Sequence, residues 1–180
     1  FAYVFAGLGS TVHVVELMEE VVPLADAEVA AELRKSLSRQ GIKFNMGSKV
    51  TAVEKTGENF VVTVEGPKGE VKIDAQIVLV GVGRKSTTDN LGLEEVGVQM
   101  DRRGILADET MVTNVPSIYA IGDVVAGTPA LAHVASHQGV VAAENCMGHE
   151  AKMDYRAVPS PIFTEPEMAT TGMTEKQARE

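Results

Sequence analysis

The chain has 180 residues, 44% hydrophobic and 23% charged, proportions that suit a folded globular protein able to bury a sizeable core. Its formal net charge of −9 argues against nucleic-acid binding, which needs clustered Lys and Arg to neutralise phosphates. No apolar run is long enough to span a bilayer and no charged-then-apolar leader opens the chain, so the expected setting is cytoplasmic, or the mitochondrial matrix in a eukaryote.

In chain order, residues 1–8 read as the tail of a helix closed by Gly7 or Gly9, and residues 11–16 as a short β-branched strand ending on Glu16. Asp26 starts a second helix with Val29, Leu33 and Leu37 on one face; Gly41 closes it, and residues 42–46 form the next strand. The period then becomes alternating. Residues 50–55, 59–65 and 70–73, separated by glycine-containing turns, predict a three-stranded antiparallel meander. Residues 76–81 follow as a continuous apolar strand suited to a sheet covered on both faces, ending in the loop Gly81-Val82-Gly83-Arg84. Asp101-Arg-Arg-Gly104 reads as a turn, residues 118–121 as a strand delivering Asp123, and residues 131–147 as a helix rich in small side chains. Prolines from Pro159 to Pro166 mark a further boundary, and Thr174 is an N-cap candidate near the end. Because the first and last residues both fall inside helical patterns, an internal fragment of a longer protein is expected.

Two carboxylates stand where α/β sheets bind ligands. Glu16, at a strand end, can accept both ribose hydroxyls of an adenine dinucleotide or serve as a solvated loop acid. The segment Leu17-Met-Glu-Glu20 holds no Arg or Lys for a 2′-phosphate, which favours NAD over NADP. Asp123 follows Gly122 and reads either as a turn or N-cap acid or as an acceptor aimed at ligand hydroxyls. The helix start after it offers free N–H groups to negative charge, such as that of a reduced flavin.

His133 and His137 lie four apart on one helix without a third metal ligand at suitable spacing, so packed histidines are expected rather than a metal site. His13 and His149 read as surface or interface residues, and the acid runs as solvated faces. The single Cys146 excludes an internal disulfide and any dithiol chemistry within these residues; its apolar surroundings predict a buried structural thiol.

Taken in order, Gly9-Ser-Thr-Val-His-Val-Val-Glu16, Gly83-Arg84, Asn90-Leu-Gly-Leu-Glu94, Ser117-Ile-Tyr-Ala-Ile-Gly-Asp123, Leu131-Ala-His133 and residues 159–167 resemble the flavoprotein disulfide reductases. Leu131-Ala-His133 and Ile162-Phe-Thr-Glu-Pro-Glu167 are similar to the dihydrolipoamide dehydrogenase branch. The resemblance implies an α/β protein with a Rossmann-like NAD domain carrying an antiparallel meander (residues 1–85), the returning part of an FAD domain (86–153) and the start of an α+β dimerisation domain (154–180). It implies a homodimeric enzyme that reoxidises a dihydrolipoyl-bearing protein of a 2-oxoacid dehydrogenase or glycine cleavage complex, through a cysteine pair and FAD, to NAD. Glu16, Val50 and Gly83 match that family's NAD contacts, Asp123 the acid on the flavin's ribityl chain, and Ala130, Leu131, Ala132 and His133 its second FAD contact. Ala130 departs from the family, where Met is usual. The family's catalytic cysteines and its His and Glu fall outside this sequence, so no catalytic residue is assigned within it. The alternatives are another disulfide reductase of the same fold, akin to mercuric or glutathione reductase, and a non-catalytic nucleotide-binding module.

Overall fold

The computed structural model describes residues 1–180, which pack as two units: Phe1–Gly81 with Pro159–Glu180, and Val82–Val158. No helix is long and apolar enough to cross a membrane.

In the first unit, helix α1 (Ala2–Gly7) is closed by N–H groups of Gly9 and Ser10 folding back onto the Ala6 and Phe5 carbonyls. Strand β1 (His13–Val15) pairs in parallel with β2 (Lys43–Asn45), Val14 facing Phe44, with α2 (Ala27–Arg39) as the connection. Helix α2 buries Ala30, Leu33 and Leu37 and leaves Val29 exposed, so the apolar stripe is turned by one residue from the one read in the sequence. Spacings of three and four fit a helix face as well as two fours, and burial in the core decides between them. Leu33 and Leu37 join Ile42 and Met168, with Val14, Phe44 and Ile162 packed around them.

The meander forms as expected: β3 (Lys49–Thr56), β4 (Asn59–Gly66) and β5 (Gly69–Ala75) are antiparallel neighbours, with β4 central and a bulge between Val50 and Ala52. Burial does not alternate along β4. Val62, Thr63 and Val64 are buried in succession. Residues 76–81 depart from their reading as a strand. They are irregular and unpaired, with Ile77, Leu79 and Val80 exposed, because neither edge of the β1–β2 pair nor of the meander hydrogen-bonds to them. A strand exists by its ladder, and apolar composition without a partner does not make one.

The unit ends with β8 (Ser160–Ile162), β9 (Met168–Thr170) and α4 (Glu175–Arg179), labelled after the strands and helix of the second unit. Thr174 caps α4 in a full capping box with Gln177. Asp26, at the N-cap position of α2, makes no cap there and instead accepts the Glu175 N–H at 2.8 Å.

In the second unit a hairpin of β6 (Met100–Asp101) and β7 (Gly104–Ile105) is closed by the Asp101 carboxylate, which accepts the Arg103 and Gly104 N–H groups. Helix α3 (Ala132–Cys146) buries Val134, Gln138, Val141 and Ala142, the apolar members packing with Met111 and Met153. Residues 118–121 are not a strand either; a lone bridge joins Tyr119 to Val112 before the chain enters a 3-10 turn at Gly122–Val124.

Candidate functional site

The turn that carries Asp123 is gripped from two sides. Gly122 sits at φ +77°, a left-handed conformation that strains side chains with a Cβ, and its N–H donates to Gln138 Oε1 at 2.6 Å. Gln138 has no exposed surface. From the other side, Gly104 packs so tightly that an added Cβ would lie 2.1 Å from the Val124 carbonyl oxygen, and the Ala126 N–H donates to the Ile105 carbonyl. The backbone is therefore fixed while the Asp123 side chain stays about half exposed, at 51%.

Arg84 gathers the site. Its Nη1 donates to Asp123 Oδ2 at 2.5 Å and its Nη2 to the Ala130 carbonyl at 2.9 Å, so one guanidinium joins the Gly83-Arg84 loop, the Asp123 turn and the approach to α3. The pair is exposed and contributes at most about 1 kcal/mol to stability, so its effect is orientation. Asp123 keeps acceptor capacity on Oδ1, since an ionised carboxylate offers about four lone-pair sites. Helix α3 begins at Leu131 with no side-chain cap and no acid in its first turn, and Ala132 and His133 are exposed. Its positive end is thus available to an anion or an electron-rich ring. An exposed acceptor beside an uncapped helix start is chemically able to receive ligand hydroxyl groups and an electron-rich group side by side.

Glu16 extends β1, its N–H donating to the Asn45 carbonyl at 3.0 Å and its carbonyl accepting the Ser48 N–H at 2.9 Å. Its Oε1 accepts the Met18 N–H at 2.9 Å, while Oε2 has no partner within the chain. The Ser48 bond brings Glu16 beside the start of β3, where Val50 is exposed next to the bulge. Glu16 and Val50 thus share one unit, and Gly83, Asp123 and Ala130 to His133 the other. Gly83 is exposed, with open space around it.

The reading of residues 17–20 as free of cations holds for the sequence but not in space. Arg34, from α2, donates to Glu20 at 2.7 Å. That bond holds the Glu20 carboxyl below its ordinary range and raises the Arg34 guanidinium, so the cation is already engaged. No local sequence signal joins two residues fourteen apart here.

Cys146 is exposed rather than buried, because it falls at the last turn of α3, away from the Val134–Val141 stripe. His133 and His137 are exposed as well, instead of packed, and no group of three His, Cys, Asp or Glu side chains converges on a point. His149 meets Glu144 at the surface. His13 lies opposite Lys43, and partial burial followed by the Lys43 charge lowers its affinity for a proton. Arg84, Gln138 and Gly104 were the supports that local reading passed over. Arg84 was visible as a cation beside Gly83, and Gln138 as a polar residue on the apolar face of α3.

A model of the pyridine nucleotide-disulphide oxidoreductase family matches residues 1–139. The dihydrolipoyl dehydrogenase of Chlamydia muridarum is 43% identical over 100% of this chain and 38% of its own length, and the mitochondrial dihydrolipoyl dehydrogenase of Pisum sativum is 42% identical over 98% of this chain and 36% of its own. Among solved structures, LpdA of Mycobacterium tuberculosis superposes with a TM-score of 0.88 at 30% identity, covering 98% of this chain and 38% of that one. The chain spans less than two fifths of the length of these relatives. Agreement of family, fold and α/β architecture bears out the fold class read from the sequence: the chain belongs to the pyridine nucleotide-disulphide oxidoreductases.

Proposed function

We propose that this chain is the central part of an FAD-dependent dihydrolipoyl dehydrogenase that reoxidises a dihydrolipoyl group and delivers the electrons to NAD. The observation that carries the reading is the Asp123 turn: a fixed backbone, an accessible carboxylate and an uncapped helix start side by side, in a chain 43% identical to a dihydrolipoyl dehydrogenase along its whole length. The flavin, when bound, supplies the passage of hydride to the nicotinamide, and the protein supplies orientation and charge.

Each residue has a task in this reading. Asp123 accepts ribityl hydroxyl groups, Arg84 keeps its carboxylate directed, and Ala130, Leu131, Ala132 and His133 line the flavin ring at the start of α3, where the first N–H groups of the helix face it while that of Leu131 is bonded to the Pro129 carbonyl. Glu16 accepts the adenine-ribose hydroxyls, with Val50 and Gly83 as further NAD contacts. The pairing of Arg34 with Glu20 supports NAD over NADP, since the Glu20 carboxylate offsets the cation near residues 17–20 that could draw a 2′-phosphate. In domain terms, residues 1–85 form most of an NAD domain, 86–153 the returning segment of an FAD domain, and 154–180 the start of a dimer interface. The whole enzyme is a homodimer in the cytoplasm, or in the mitochondrial matrix of a eukaryote, and serves a dihydrolipoyl-bearing protein of a 2-oxoacid dehydrogenase or glycine cleavage complex. Its dithiol and proton-transfer residues lie outside residues 1–180.

The test is Asp123→Ala in the full-length protein. FAD affinity should fall roughly tenfold to a hundredfold, the range for hydrogen bonds to a charged group. Unchanged flavin content would remove Asp123 from the site.

A further inference from the structure

Behind the Asp123 turn lies a polar line of contacts inside an otherwise apolar core. The Gly122 N–H can only donate, which requires the Gln138 oxygen to face it; the Gln138 amide nitrogen then donates to the Tyr155 hydroxyl at 2.9 Å. The Tyr155 hydroxyl in turn donates to Met111 Sδ at 4.0 Å. Gln138 and Met111 are 0% and 1% exposed, and Val134, Val141 and Met153 are buried in the same core.

Burying a primary amide among valines and methionines costs free energy unless its bonds are made, and an apolar side chain would pack there more simply. Here both ends of the amide are bonded, which offsets that cost and fixes the groups they bond. One end of the line fixes the N–H of a left-handed glycine whose next residue is Asp123. The other end is anchored at Tyr155, beyond the end of α3, which stops the amide from rotating about its terminal torsion. Arg84 acts on the Asp123 carboxylate from the solvent side, while Gln138 acts on its backbone from the core side.

We propose that Gln138, braced by the Tyr155 hydroxyl, is a positioning residue that sets the direction of the Asp123 carboxylate toward a flavin's ribityl hydroxyls. The inference rests on the flavin reading of Asp123 and deepens it. It predicts that the core bond and the surface carboxylate act as one unit in flavin binding.

The experiment is a double-mutant cycle in the full-length protein, titrating the apoprotein with FAD. Gln138→Met keeps the length and apolar bulk of the side chain but leaves the Gly122 N–H unpaired. It should weaken FAD binding roughly threefold to tenfold, the span of one lost hydrogen bond. Combined with Asp123→Ala, it should weaken binding no further than Asp123→Ala alone. Gln138→Glu, whose protonated carboxyl can accept from Gly122 and donate to Tyr155, should restore affinity. Tyr155→Phe, which removes only the brace, should give a smaller loss in the same direction even if Gln138→Met does not fold. Losses that add fully in the double mutant, or a Gln138→Met protein with unaltered FAD affinity, would overturn the proposal while leaving Asp123 in its role. An Asp123→Ala protein that binds FAD normally would overturn the flavin reading itself, and this inference with it.

Discussion

On the proposed flavin reading, two demands compete at Asp123. The carboxylate would have to stay accessible to accept hydroxyl groups, yet its backbone would have to be fixed for that acceptance to be directional. The structure meets both by placing the restraint on neighbouring residues: Gln138 and Gly104 on the backbone, Arg84 on one carboxylate oxygen. Glu16 is arranged differently, with one oxygen bonded to the Met18 N–H and the other without a partner in the chain. Glu16→Ala in the full-length enzyme should therefore raise the Michaelis constant for NAD while leaving flavin content alone; an unaffected constant would take Glu16 out of the nucleotide site. Asp154 offers a test of local geometry with no ligand. The Arg156 side chain, then the Arg156 N–H, hold its carboxyl down to about 2. A folded-state value below the unfolded one means that the contribution of this turn is complete above the unfolded carboxyl range, near about 3.9, and is lost as pH falls through about 2. Titration of the Asp154 carboxyl followed by NMR should show that low midpoint, and Arg156→Ala should return it to the ordinary range.

At the scale of elements, local pattern and tertiary context divide the work. Helices α2 and α3 and the meander were legible because each carries its own hydrogen bonds or its own turn chemistry, as at Gly57 and at the loop ending on Gly69. Residues 76–81 and 118–121 have strand composition but lack a neighbour that completes a ladder, so composition alone named the wrong state. The turned stripe of α2 has a measurable consequence. Leu33→Ala should lower the unfolding free energy by about 2–5 kcal/mol, as for other buried leucines. Val29→Ala, on the exposed face, should change it by no more than about 0.5 kcal/mol. Equal losses at the two positions in a denaturant titration would contradict the observed face.

Across the whole molecule, the family and its architecture were readable from short motifs, because each sets glycines and acids in a fixed order at the ends of apolar segments. Glu16 and Asp123 end the segments that the motifs name, and their placement required no distant information. What supports them did require it. Arg34 reaches Glu20 from fourteen residues away, Gln138 reaches Gly122 from sixteen, and Asp26 reaches Glu175 from 149. Such contacts are set by how elements pack, and a linear pattern carries no record of them. The exposure of Cys146 follows the same logic, since what covers one side of α3 and leaves another open is decided by the elements that pack against the helix. The central claim joins a dithiol donor to NAD through a flavin held at Asp123. Its most direct test is the absorbance spectrum of the full-length protein during anaerobic addition of dihydrolipoamide and then NAD. The account predicts a bound flavin that the dithiol reduces and that NAD, but not NADP, reoxidises. A protein without flavin, or a flavin that dihydrolipoamide leaves oxidised, would contradict it.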